Sequence, residues 1–143
     1  MPSSLPATAT ERLAIARVGR LATVTAAGRP HVVPVCFASV DGRIYTAVDD
    51  KPKTTRALAR LDNVAATGRA SLLVDHYEED WSRLWWVRVD GPALVLRHGP
   101  EREEALDGLV AKYDRYRDAR PSGAVIRLTP ETWRSWPAIP SGA

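Results

Sequence analysis

Between Lys51 and Arg56 the chain places Lys51, Pro52, Lys53, Thr54, Thr55 and Arg56 in succession, where an apolar strand gives way to an amphipathic helix. Cations at a helix start oppose the helix dipole by about 0.3–1 kcal/mol each, so their clustering there calls for an offsetting anion. A phosphate supplies one, because the free N–H groups of the helix start and the threonine hydroxyls can donate to it while the lysines supply charge. A solvated loop is the ordinary reading of any single lysine. Three cations and two hydroxyls at one helix start argue against it here, and Thr46 on the preceding strand offers a further hydroxyl. Beside a mostly apolar sheet, the segment suits a ligand with an aromatic body and a phosphate tail.

Other chemistries find less support. His31, His76 and His98 are far apart and Cys36 is the only cysteine, so no metal site is expected. Cys36 lies in an apolar run, where a buried inert thiol is the expected state. There is no GxSxG, GxGxxG or Walker sequence, which removes the main support for hydrolase elbows, dinucleotide folds and P-loops. Only four of the 20 basic residues lie between Lys51 and Arg60, a local pocket and not the long basic track of a nucleic-acid binder. Trp81, Trp85 and Trp86 could stack bases, but neighbouring Glu78, Glu79 and Asp80 would repel a phosphate backbone. No nucleic-acid partner is expected.

The elements that would position the basic segment follow from periodicity. Thr8 to Glu11 has capping-box spacing before a short helix that Gly19 can stop. Arg20–Thr25 reads as a strand, and Pro30–Val40 as a second one, apolar on both faces and therefore central and covered on both sides. Pro34 within it predicts a bulge or a locally unpaired edge, because it has no N–H to give a ladder. Asp41-Gly42 turns the chain into the strand Arg43–Val48. A helix follows over Thr54–Ala66 and ends at Gly68, ahead of the strand Ala70–Asp75. Arg83–Val89 alternates so that Trp85 and Trp86 face opposite sides, and Asp90-Gly91 is expected to turn it into a separate strand, Ala93–Leu96. A helix from Gly99-Pro100 buries Ala105, Leu106, Leu109, Val110 and Tyr113 and leaves Lys112 on its exposed side. Arg115–Ser122 reads as a charged, mobile connection before the strand Gly123–Leu128.

The 143 residues suffice for one domain with one core, with residues 1–7 and 138–143 as flexible tails. Helix, antiparallel hairpins, crossover helix, further strands and a late helix read as a mostly β or α+β domain, a small antiparallel barrel with helices at its ends. No apolar run approaches the roughly 18 residues needed to span a bilayer, and the N-terminus lacks a secretory signal pattern. With a single cysteine, this points to the cytoplasm and to no membrane partner. Net charge of +3 is compatible with an anionic ligand without identifying it. Four late or adjacent tryptophans, Trp85, Trp86, Trp133 and Trp136, exceed what so small a core can bury and point to a dimer.

Gly19 to Phe37, Asp41-Gly42, Lys51 to Leu58 and Leu72 to Asp75 together resemble the pyridoxamine 5′-phosphate oxidase-like superfamily. Asp80 to Gly91, with Trp81, Trp85 and Trp86, resembles its branch of actinobacterial F420-dependent oxidoreductases. The resemblance runs from about Glu11 to Trp136. It implies a split β-barrel of six to seven antiparallel strands, and a homodimer with cofactor sites at the subunit interface. It also implies that Lys51 and Lys53 hold the cofactor phosphate with Thr46, Thr54, Thr55 and Arg56 as neighbours, and that Val33, Pro34 and Val35 run beneath the tricyclic ring. Trp86, His76 and Tyr77 border the pocket, though loop or interface packing would explain each. The longer C-terminal arginine segment of true pyridoxamine phosphate oxidases is missing, so the resemblance does not imply vitamin B6 oxidation.

The implied activity is hydride transfer between coenzyme F420 and a small organic substrate with an activated C=C or C=N bond, the protein supplying binding, orientation and exclusion of water. The alternatives are an FMN-binding flavoprotein of the same fold and a non-catalytic cofactor-binding protein. No catalytic side chain is named.

Overall fold

The computed structural model describes residues 5–48 and 55–139, and only the backbone of 55–58. Alternating apolar and polar residues build eight strands, all joined antiparallel. Along the chain these are α1 (Ala7–Ile15), β1 (Gly19–Val24), β2 (Pro30–Val35), β3 (Ala38–Val40), β4 (Arg43–Ala47), α2 (Thr55–Thr67) and β5 (Arg69–His76). A single 3₁₀ turn at Trp81–Arg83 leads into β6 (Trp85–Leu96), followed by α3 (Pro100–Lys112), α4 (Asp114–Asp118), β7 (Val125–Leu128) and β8 (Thr132–Trp136).

The strand order is β2-β1-β5-β6-β7-β4-β3, with β8 pairing β6. β2 and β3 stand at opposite ends of that order, yet only Cys36 and Phe37 join them, a link that spans at most about 11 Å. The sheet must therefore coil until its ends meet, and because no ladder closes them the barrel is split at that seam. Leu21, Val35, Phe37, Ile44, Leu72, Val74, Val87, Val89, Ile126 and Leu128 fill the interior. A second core lies outside the barrel, where Ala105, Leu106 and Leu109 of α3 cover Tyr45, Ala47 and Val125. The expected α+β split barrel with flanking helices is the observed fold.

Several local expectations change. Pro30–Val40 is not one central strand: it divides at Cys36, and β2 is an edge strand whose burial alternates, with Val33 and Val35 inward and Val32 and Pro34 outward. Pro34 thus sits where a missing N–H is tolerated, on an edge strand. Asp90-Gly91 is not a turn. β6 runs straight through it, pairing β5 up to Pro92 and β7 from Ala93, so one 12-residue strand belongs to both halves of the barrel. β8 adds a strand beyond the six to seven expected, and α4 occupies part of the connection expected to be mobile. α1 starts at Ala7 without a capping box, and Gly19 opens β1 instead of stopping the helix. Within the segments expected to be tails, Leu5 and Ile139 pack against the core.

The Asp41-Gly42 turn is present, with φ of 50° and 78°. Gly68 ends α2 at φ 69°, its N–H donating to the Val64 carbonyl. Among the described residues no helix is long and apolar enough to cross a membrane.

Candidate cofactor site at the barrel seam

The seam is held by side chains from three elements. Thr46 of β4 donates its hydroxyl proton to the Cys36 carbonyl at 2.7 Å. The Phe37 N–H donates to the Tyr113 hydroxyl at 3.1 Å, and that hydroxyl in turn reaches the carbonyls of Arg17 at 3.0 Å and Phe37 at 3.1 Å. A phenol has one proton, so it donates to one of these carbonyls at a time. Burial pushes the Tyr113 hydroxyl above its ordinary pKa, opposed by its bond to Phe37, and it stays protonated at neutral pH. The Cys36–Phe37 peptide is therefore held at both its carbonyl and its N–H, which sets the end of β2 against the end of β4.

Beyond β4, the Val48 N–H donates to the Ala124 carbonyl at 2.8 Å, and α2 begins at Thr55. Lys51, Lys53 and Thr54 lie outside the described residues, as do the side chains of Thr55 and Arg56. The structure brings the end of β2 against Thr46 of β4 through the Cys36 carbonyl. Thr46 itself is only 4% exposed. Its proton is taken by Cys36, so its role is to hold the seam and not to donate to a phosphate.

Trp86 does not join this group within one chain. On the outer sheet surface β1 and β5 separate β6 from β2, three strand spacings or about 14 Å. Its cross-strand neighbours are Asp75 and Trp136. Trp85, on the opposite face, packs toward the core, stacks on His76 at 6.2 Å and carries the Arg12 guanidinium 4.9 Å from its ring. His76 is paired with Glu78, and Tyr77 stays exposed.

The outer surface of β2, β1, β5, β6 and β8 carries apolar side chains in rows set by the register. Val32 and Ala22 lie level with one another, as do Pro34, Arg20 and Leu73, and Trp86 and Trp136. Val24, Val32 and Trp136 remain 42%, 61% and 49% exposed. Four charges on this surface are already joined in two pairs, Arg20 with Asp75 and Arg88 with Asp90, each at 3.0 Å. Asp90 also accepts from Ser71 at 2.6 Å, and these bonds outweigh its burial to hold its carboxyl below the usual range.

Sequence reasoning missed two residues at the seam. His31 of β2 has a buried Nδ1 without a hydrogen-bond partner, beside a Thr23 hydroxyl already accepting from Asn63 of α2. Lys112 is not on an exposed face: its Nζ sits 3.9 Å from the centre of the Phe37 ring and 3.4 Å from the Leu13 carbonyl. The final turn of α3 abuts α1 and the seam, a tertiary contact that helical periodicity does not show. Among the described residues no three His, Cys, Asp or Glu side chains group to hold a metal.

The family model for pyridoxamine 5′-phosphate oxidase matches residues 5–137, nearly the whole chain. The chain belongs to the pyridoxamine 5′-phosphate oxidase family. No functionally curated protein matches the sequence. Solved structures share the fold at low identity. The conserved hypothetical protein Rv2991 of Mycobacterium tuberculosis is 19% identical with TM-score 0.76, over 97% of this chain and 92% of its own. A FAD-binding protein of Mesorhizobium loti is 25% identical with TM-score 0.65, over 92% and 94%. HutZ, the heme storage protein of Vibrio cholerae, is 18% identical with TM-score 0.69, over 92% of each chain. Similar barrels thus serve a flavin in one protein and heme in another, so the shared fold does not by itself select the ligand.

Proposed function

We propose that this chain is an F420-dependent oxidoreductase that works as a homodimer, with the cofactor at the barrel seam. The observation that supports the reading is that β2, an edge strand with one side free of any ladder among the described residues, ends against Thr46 of β4, shortly before the basic segment 51–56 in the chain. The residues present suit a flat ring on a phosphate tail. β2 offers its free backbone edge along Val33, Pro34 and Val35, with Val32 and Pro34 apolar on its outer face, and Lys51 and Lys53 supply the charge a phosphate needs. When bound, a deazaflavin supplies hydride to an activated C=C or C=N bond. The chain's own contribution is to fix the ring against β2, keep the seam from moving through Thr46 and Tyr113, and exclude water.

Lys53→Ala is expected to weaken F420 binding by about 10- to 150-fold, the equivalent of losing one charge-assisted contact of roughly 1.5–3 kcal/mol. Arg115→Ala, exposed on α4, is the control; Lys112 cannot serve, because it is packed at the seam. Fluorescence titration with F420 and FMN in parallel separates the deazaflavin reading from a flavoprotein of the same fold, and unchanged binding of both by Lys53→Ala would sink the phosphate role.

The dimer reading rests on the exposed apolar rows of the outer sheet surface, which also explain how Trp86, remote from β2 in its own chain, could border a cofactor held by the partner subunit. Sedimentation at micromolar concentration is expected to give twice the 15.7 kDa of one chain. A monomer there, or a dimer that Trp136→Glu leaves intact, would remove this surface from consideration.

A further inference from the structure

We propose that the cavity between α1, the β3–β4 turn and the β7–β8 link is a binding site for an amine carried on an apolar body, with Asp41 receiving the ammonium. This goes beyond the cofactor reading and does not depend on which cofactor, if any, is bound.

The cavity measures about 770 Å³, within the range of small-molecule sites. Leu5, Leu13, Ile44 and Pro130 give it an apolar lining, and Ser39 and Asp41 bring polar groups to it. Its three walls are set without a ligand. Ala9 and Leu13 anchor α1 in the core, the Asp41-Gly42 turn shapes the hairpin, and the β7–β8 link is tied to β6 through the Thr129 and Glu131 N–H groups, which donate to the Pro92 and Asp90 carbonyls at 2.9 Å. A site walled in this way gives up little freedom on binding.

Two charged residues line the cavity, Asp41 and Arg43. Neighbours along a strand face opposite sides, so with Ile44 turned into the barrel core Arg43 faces α3, where its guanidinium meets Glu101 at 3.5 Å. Asp41 is left as the charge for a ligand. Its carboxylate is exposed and has no hydrogen-bond or ion-pair partner among the described residues. Ser39 stands opposite Ile44 in the β3–β4 ladder and shares its face, which puts the serine hydroxyl on the same side as the apolar lining. A carboxylate and a hydroxyl beside apolar side chains complement an ammonium on an apolar body and disfavour an anionic analogue. The cavity is also remote from Thr46 and the seam, since it lies at the Arg43 end of β4 and five residues of strand span about 16 Å.

Isothermal titration of the full-length protein at about pH 7.5, where an alkylamine is protonated, compares 4-phenylbutylamine with 4-phenylbutanol and 4-phenylbutyrate. The amine is expected to bind roughly two- to fivefold more tightly than the alcohol, the gain of a partly exposed ion pair, and the carboxylate more weakly than either. Asp41→Asn should remove the amine's lead and leave the alcohol unchanged. Asparagine tolerates the positive φ of that turn, so the hairpin keeps its shape in this variant. Ser39→Phe, which fills the cavity, should abolish binding of both, and saturating F420 should leave the amine's affinity unchanged. An amine with no lead over the alcohol, a lead that survives Asp41→Asn, binding that survives Ser39→Phe, or competition between the amine and F420 each overturns the proposal. The Asp41→Asn comparison decides it even where Ser39→Phe does not fold.

Discussion

Gly91→Ala is expected to leave the protein unfolded or to lower its stability by roughly 4 kcal/mol or more, the range reserved for changes that a fold cannot absorb. A Cβ on Gly91 would stand 1.9 Å from the Thr129 carbonyl oxygen and 3.1 Å from the Glu131 nitrogen. Both are backbone atoms, so no side chain can rotate away. The segment carrying them is itself tied to β6, with Thr129 N–H donating to Pro92 and Glu131 N–H to Asp90, each at 2.9 Å. Relief would require breaking those bonds and lifting the link between β7 and β8 off β6. Urea denaturation followed by circular dichroism measures this, and an alanine variant within about 1 kcal/mol of the parent would show that the link yields cheaply.

Phe37→Ala is expected to cost about 3–5 kcal/mol, whereas Phe37→Leu should cost less than about 2. Phe37 is fully buried at the seam. Its ring is shared between the barrel interior, where it packs among the core residues, and the Lys112 ammonium. Truncation would leave a cavity where two residues alone connect the ends of the sheet, and the surrounding backbone, fixed by Tyr113 and Thr46, cannot collapse to fill it. Paired urea curves for the two variants decide the matter. Equal losses for alanine and leucine would mean that the seam repacks freely.

The same two residues show what the sequence could and could not reveal. Elements governed by local chemistry were legible: Asp41-Gly42 turns because its residues adopt positive φ, and Gly68 stops α2 for the same reason. Asp90-Gly91 carries an identical local signal, but its glycine serves a close approach by a carbonyl 38 residues later in the chain, which local pattern cannot distinguish from a turn. Pro30–Val40 looked doubly covered because it is apolar on both faces, and an apolar side chain left exposed, such as Val32, reads the same in sequence as a buried one. Lys112 looked solvated because its packing partners, Leu13 and Phe37, come from distant segments. For the site, residues 51–56 were visible as a cluster of charge in the sequence, whereas the orphaned nitrogen of His31 is a matter of tertiary geometry that no local pattern announces.

The passage of β6 through both halves of the barrel bears on how the chain comes off the ribosome. β3 and β4 can pair as soon as they emerge, but Ile44 finds its other neighbour only at Leu128, and β7 reaches the rest of the sheet only through β6. A nascent chain ending before Val125 therefore holds a β3–β4 hairpin with one open side, cut off from the β1–β2 and β5–β6 ladders it must join. Non-local closure of this kind is slow, in the range of milliseconds to seconds, and it leaves strand edges exposed to neighbours while it waits. Arrested chains that stop between α3 and β7 should accordingly be the protease-sensitive and aggregation-prone species, and the addition of the few residues of β7 should abolish both traits together.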